Sequence, residues 1–187
     1  MVATIATLPN EFPMTFGFRL ILSGCLFALC FNISKKLNKK RKIDKRTRVN
    51  LNILSAYYII MLYYTALGRY SQNYYRVELE LFASYRRFFV DFGYTEAVQI
   101  LLNILMFIPV AVLLCEIFKG KCKYLWVVLI SFLMSLFIEA LQYVMRCGMF
   151  EVDDLFNNLI STLIGIVIYL VYTFIYKNYK KKKGMRK

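Results

Sequence analysis

Residues 97–118 read AVQILLNILMFIPVAVLLCEIF, and after a short basic linker residues 124–144 read YLWVVLISFLMSLFIEALQYV. Each run has the length a helix needs to cross a bilayer core, roughly 20 predominantly apolar residues. Neither alternates apolar with polar residues, which excludes the strands of a membrane barrel. The two runs therefore read as consecutive transmembrane helices. Working outward, residues 155–176 form a third run, and residues 49–68 and 13–33 form two weaker ones. The expected fold is all-α: a polytopic membrane helical bundle of about five transmembrane helices.

The composition agrees. The chain has 187 residues, 59% hydrophobic and 17% aromatic, with a mean hydropathy of +0.51. A soluble domain of this length carries more charge and lacks repeated runs of span length. The net charge of +14 is no nucleic-acid footprint, because the basic residues sit in blocks beside apolar runs. No nucleic-acid partner is expected. The chain has no histidine, which excludes His-based zinc sites, Ser-His-Asp triads and Cys-His dyads. Its five cysteines form no CxxC pair and read as free thiols, so neither metal nor cofactor is implied. The first apolar run has no Lys or Arg before Arg19 and no small-x-small site close behind it, and reads as a retained helix, not a cleaved signal.

Lysine placement sets the expected orientation. Every lysine falls in one of three segments, Lys35 to Lys45, Lys119 to Lys123 and Lys177 to Lys187, which share one side of a five-span chain. By the positive-inside rule that side is cytoplasmic, with the amino terminus outside and the carboxyl terminus inside. Three parts follow: residues 1–48 as a first helix with a basic cytoplasmic loop, residues 49–176 as the main transmembrane domain, and residues 177–187 as a basic cytoplasmic tail. The basic blocks suit anionic lipid headgroups. The other side carries arginine without lysine (Arg19, Arg69, Arg76, Arg86, Arg87, Arg146) and most of the acids. There, Leu81, Phe82, Tyr85, Phe88, Phe89 and Phe92 recur at spacings of three and four, the pattern of a short interfacial helix.

Polar residues inside the spans form stripes. An ionisable group at membrane depth is costly, so it faces protein or water and has a partner. In the fourth span, Ser131, Ser135, Glu139, Gln142 and Arg146 follow helical spacing along one face. In the fifth, Asp154, Asn158, Ser161 and Gly165 do the same, with small residues that allow close helix approach. Asp153 adjoins that stripe, Gln99 and Asn103 lie one turn apart in the third span, and Thr65 and Arg69 one turn apart in the second. All these groups reach the outer leaflet. Arg69 or Arg146 is the expected ion-pair partner of Glu139.

Five blocks of the chain resemble the VanZ-like family of bacterial membrane proteins. They are Tyr63-Tyr64-Thr65-Ala66-Leu67-Gly68-Arg69, Phe82-Ala83-Ser84-Tyr85-Arg86, Asn103-Ile104-Leu105-Met106-Phe107-Ile108-Pro109, Ser135-Leu136-Phe137-Ile138-Glu139-Ala140-Leu141-Gln142, and Arg146 with Val152-Asp153-Asp154-Leu155 and Asn158. They run from the second span onward and leave the first span outside. Ser161 and Ala111 stand where the family usually has glycine. The resemblance implies a protein of the bacterial cell membrane, and the founding member is associated with low-level teicoplanin resistance.

The site expected from stripes and resemblance together comprises Arg69, Asn103, Glu139, Gln142, Arg146, Asp153, Asp154 and Asn158. In one reading it is a non-enzymatic outer-leaflet site contributing to glycopeptide resistance or to handling of envelope lipids and cell-wall precursors. Its partners are then membrane lipids, a lipid-linked precursor or a lipoglycopeptide, with Arg69, Arg146 and Arg19 gripping a phosphate or carboxylate. The alternative is an intramembrane carboxylate-dependent enzyme acting on lipid-linked or peptide substrates, with Glu139 and Asp153 or Asp154 as acid and base. A transporter is a third, weaker reading, since no two-fold repeat is visible.

Overall fold

The structure is a computed structural model describing residues 3–5, 44–67, 75–118 and 122–182. Its elements are β1 (Ala3–Ile5), α1 (Lys45–Leu62) running into a π-helical turn (Tyr63–Leu67), β2 (Tyr75–Glu78), α2 (Ala83–Asp91), α3 (Tyr94–Ile117), α4 (Lys123–Val144), β3 (Phe150–Glu151) and α5 (Val152–Lys182). Helices α3, α4 and α5 are long and apolar enough to cross a membrane. The apolar run at residues 13–33 lies outside the described residues. Helix α1 opens with Lys45, Arg46 and Arg48, which dilute its apolar length. Three of the five expected spans are thus seen as membrane-length apolar helices.

Helix α3 buries the apolar Phe107, Val110, Ala111, Leu114 and Cys115, whereas α4 and α5 turn largely polar faces inward. The buried face of α5 is Asp153, Asp154, Asn157, Asn158, Ser161, Thr162, Gly165 and Ile166, whereas Leu163, Val167, Val171 and Phe174 are exposed. Helix α4 likewise buries Ser131, Ser135, Glu139 and Gln142 and exposes Leu125, Leu129, Phe132 and Leu133. In lipid the apolar groups gain little by turning inward, so small and polar residues share the helix contacts with the apolar core. The closest of these joins α3 to α5. A Cβ on Gly165 would lie 2.7 Å from the Ile108 carbonyl oxygen and 2.7 Å from the Ala111 Cβ. One turn toward the amino end, the Ser161 hydroxyl donates to the Ile104 carbonyl. Two tyrosines of α1 complete the bundle: Tyr57 donates to the Met106 carbonyl on α3 and Tyr58 to the Met134 carbonyl on α4, both at 2.9 Å.

The two ends of the bundle differ. Arg46 at the start of α1 pairs with Glu116 at the end of α3 at 2.9 Å, and the Lys123 ammonium lies over the Tyr169 ring of α5 at 4.6 Å. The described parts of the three basic blocks therefore share one end. The opposite end, where α3 and α5 begin and α4 stops, carries a feature not expected from the sequence. It is a three-stranded sheet in the order β1-β2-β3, antiparallel between β1 and β2 and parallel between β2 and β3. The register sets Glu78 directly beside Glu151. Helix α2 follows β2 as the expected short helix, exposing Phe89, Val90 and Phe92 and burying Ala83 and Ser84.

Candidate functional site

Five buried acids, Glu78, Glu139, Glu151, Asp153 and Asp154, crowd the end of the bundle that carries the sheet. Asp153, in the first turn of α5, accepts the backbone N–H of Phe82 at 2.6 Å and of Ser84 at 2.8 Å. It thereby caps α2, whose own N-cap residue Phe82 has a left-handed φ of 65° and no capping side chain. Glu151 accepts from the Ser84 hydroxyl at 3.1 Å and from Gln99 at 3.2 Å. Its backbone N–H donates to Glu139 at 3.3 Å. The Arg87 guanidinium lies 3.4 Å from Glu78 and 4.0 Å from Glu151. One arginine on α2 therefore serves the two acids that the strand register sets side by side. Burial still pushes the Glu151 carboxyl above the ordinary carboxylate range, only partly offset by Ser84, Arg87 and Gln99. Burial, then the charges of Asp153 and Asp154, push the Tyr85 phenol up as well; it donates to Asn157.

Beside this cluster lies a cleft of about 690 Å³ between α1, α3 and the ends of α4 and α5. That is within the range of small-molecule pockets, about 300–1,000 Å³. Its polar wall is Thr65, Gln99, Asn103, Gln142, Glu151 and Asp154. Its other wall includes Leu102 and Leu105, which are 58% and 51% exposed, so the cleft is continuous with the apolar outer surface of the bundle. The π-helical turn places Thr65 so that its carbonyl accepts from Gln142 at 3.2 Å. Asp154 is 7% exposed, and the amide of Gln99 reaches its two oxygens at 3.4 and 3.3 Å. Asn103 is a hydrogen-bonding neighbour of Asp154, and its buried amide nitrogen makes no close hydrogen bond among the described residues.

The eight residues expected at the site thus separate. Asn103, Gln142 and Asp154 line the cleft. Glu139 is buried behind it, against the Glu151 backbone. Asn158 lies between α4 and α5, donating to Ser135 at 2.8 Å, and Asp153 turns to α2. Arg69 lies outside the described residues. Arg146 corrects the spacing argument. Helix α4 ends at Val144, and Cys147 N–H bonds to the Gln142 carbonyl while Arg146 N–H bonds to that of Tyr143. This is a Schellman turn, and Arg146 occupies its left-handed position at φ 53°. The turn takes Arg146 off the stripe, and its guanidinium lies over the Tyr75 ring at 4.4 Å. No acid pairs with it among the described residues.

Sequence reasoning missed Ser84, Arg87, Gln99, Glu78 and Glu151 as members of the cluster. Ser84 stands in the Phe82-Ala83-Ser84-Tyr85-Arg86 block and Gln99 lies one turn from Asn103, so both carried a signal. Arg87 carried no signal that set it apart from the other arginines of that side. The pairing of Glu78 with Glu151 had no sequence signal, because it depends on a parallel register across more than 70 residues.

A family model described as VanZ/LLP1 matches residues 20–174. The match begins inside the first apolar run, earlier than the motif blocks indicated. No curated protein and no solved structure matches the chain.

Proposed function

The chain belongs to the VanZ/LLP1 family, and from that membership we propose that it is a cell-envelope membrane protein whose cleft binds the head of an amphiphile in the outer leaflet. By this binding it contributes to glycopeptide (teicoplanin) resistance, or to the handling of envelope lipid or cell-wall precursor. The observation that carries the reading is the cleft itself. Its polar wall sits at the end of the bundle away from the basic blocks, and its apolar wall merges with the membrane-facing surface. A molecule already partitioned in the leaflet can enter sideways, with its chain along Leu102 and Leu105 and its head among Asn103, Gln142 and Asp154. The outer assignment follows from the lysine blocks.

Teicoplanin carries a fatty acyl chain and vancomycin does not. Each buried CH₂ adds about 0.8 kcal/mol of membrane affinity, which concentrates the acylated drug at the depth of the cleft. Expression of the protein in a susceptible Gram-positive host is expected to reduce susceptibility to teicoplanin more than to vancomycin. Leu102→Trp, which fills the apolar wall, and Asp154→Asn are expected to remove the difference at unchanged membrane levels. Equal protection against both drugs, or full protection by both variants, refutes the proposal.

A further inference from the structure

We infer that the group bound at the polar wall of the cleft is a primary ammonium carried on an amphiphile, held by Asp154 and Glu151. This rests on the amphiphile-binding reading above and narrows it. The charged residues that line the cleft, among those described, are these two acids, and neither lysine nor arginine lines it. Arg87 reaches Glu151 from the α2 side and does not border the cleft. Asp154 is more than nine-tenths buried, and its described hydrogen-bonding neighbours are neutral amides, Gln99 at long distances and Asn103. A carboxylate so placed has no counter-charge among the described residues that line the cleft. An ammonium brings that charge together with three N–H donors, matching the acceptor-only carboxylates of Asp154 and Glu151. A phosphate would be set against two carboxylates, an arrangement that rejects it.

Two further features fit the same head. The buried amide nitrogen of Asn103 is turned toward Asp154 but makes no close hydrogen bond among the described residues. It is a donor, and it suits an ether, ester or hydroxyl oxygen close to the ammonium carbon. Tyr57 and Tyr64 also line the cleft, and aromatic faces favour cations. The protein as a whole carries +14, so general electrostatics repel cations and attract anions. Ammonium selectivity at this one place is therefore diagnostic, because background binding runs the other way.

The experiment is thermal unfolding of the purified full chain in a neutral maltoside, with small mole fractions of dodecylammonium, dodecyl phosphate, dodecanol or dodecyltrimethylammonium. For wild type, dodecylammonium is expected to raise the midpoint, reaching half its effect at about tenfold lower concentration than the phosphate or the alcohol. Dodecyltrimethylammonium, which has the charge without N–H donors, is expected to be weaker; this comparison uses wild type alone and needs no folded variant. The ammonium effect should disappear in Asp154→Asn and in Leu102→Trp. A phosphate effect that exceeds the ammonium effect and is abolished by Leu102→Trp overturns the head-group inference while amphiphile binding stands. An ammonium effect unchanged in Asp154→Asn overturns it too. If no probe's effect responds to Leu102→Trp, the cleft reading fails and takes the inference with it. Mass analysis of lipids retained through purification then identifies the source. A retained amine-bearing lipid assigns the head to the bilayer, and an empty cleft that takes up dodecylammonium assigns it to an amphiphile arriving from outside.

Discussion

Replacing Asp153 should unfold the end of the bundle that carries the sheet, whereas replacing its neighbour Asp154 should not. Sequence spacing treats the two as interchangeable acids, and the structure separates them. Asp153 is 1% exposed and accepts two backbone N–H groups from the start of α2, at 2.6 and 2.8 Å. A hydrogen bond to a charged acceptor contributes about 1.5–3 kcal/mol net, and two on one carboxylate overlap, so about 3–4 kcal/mol is at stake. Alanine leaves both N–H groups buried without an acceptor. Asparagine keeps one oxygen but sets an NH₂ donor against the other N–H. For a chain of this size each kcal/mol shifts the midpoint by roughly 2–4 °C, so both variants should melt roughly 6–16 °C below wild type. Asp154→Asn puts an amide against the amide of Gln99 and should melt close to wild type. Heating in detergent followed by fluorescence-detected size exclusion reads all three. An Asp153→Asn variant that melts with wild type refutes the capping argument; an Asp154→Asn variant that melts as low as Asp153→Asn refutes the division of labour.

Other outcomes follow from the same geometry. Gly165→Ala gains about 1 kcal/mol of helix propensity but must displace the Ile108 carbonyl, at an overpacking cost of about 1–3 kcal/mol. It should lower the melting midpoint, with part of the loss recovered in combination with Ala111→Gly; a stabilised single variant contradicts the close α3–α5 approach. Arg87→Gln leaves Glu78 buried and without its described cation, and should cost about 1–3 kcal/mol once Arg87's partial exposure is allowed for. Arg86→Gln, which breaks an exposed pair with Glu80, should melt with wild type. Since Glu151 is raised above its unfolded value, its neutral form is favoured in the fold. Its contribution to stability is full below the ordinary carboxylate value and is lost as the pH rises through the raised one. Melting midpoints of wild type and Glu151→Gln should therefore diverge with rising pH, wild type losing ground; parallel profiles between pH 4 and 8 contradict the shift.

Much of the bundle was legible because membrane burial acts on single segments. Residues 97–118 and 124–144 need no partner to be read as helices, since length and hydropathy suffice where backbone groups cannot reach water. The stripes were legible for the same local reason. Ser131, Ser135, Glu139 and Gln142 share a face by helical period alone, and all four are buried. The limit of that period is equally clear at Arg146. Its spacing continues the stripe, but the chain has already left the helix, and the period carries no information past a Schellman turn.

What the sequence determined by itself is the solvent each segment faces: apolar runs of membrane length, a basic end, and polar groups that must turn inward. Each is a property of one stretch of chain and its medium. Only the tertiary structure decided which polar groups meet. The parallel pairing of β2 with β3 set Glu78 beside Glu151, the start of α2 claimed Asp153, and α2 brought Arg87 to the acids. The cleft that holds Asn103, Gln142 and Asp154 arises from four elements at once. Such contacts are set by register and packing between distant segments, and neither is encoded in the period of any one of them.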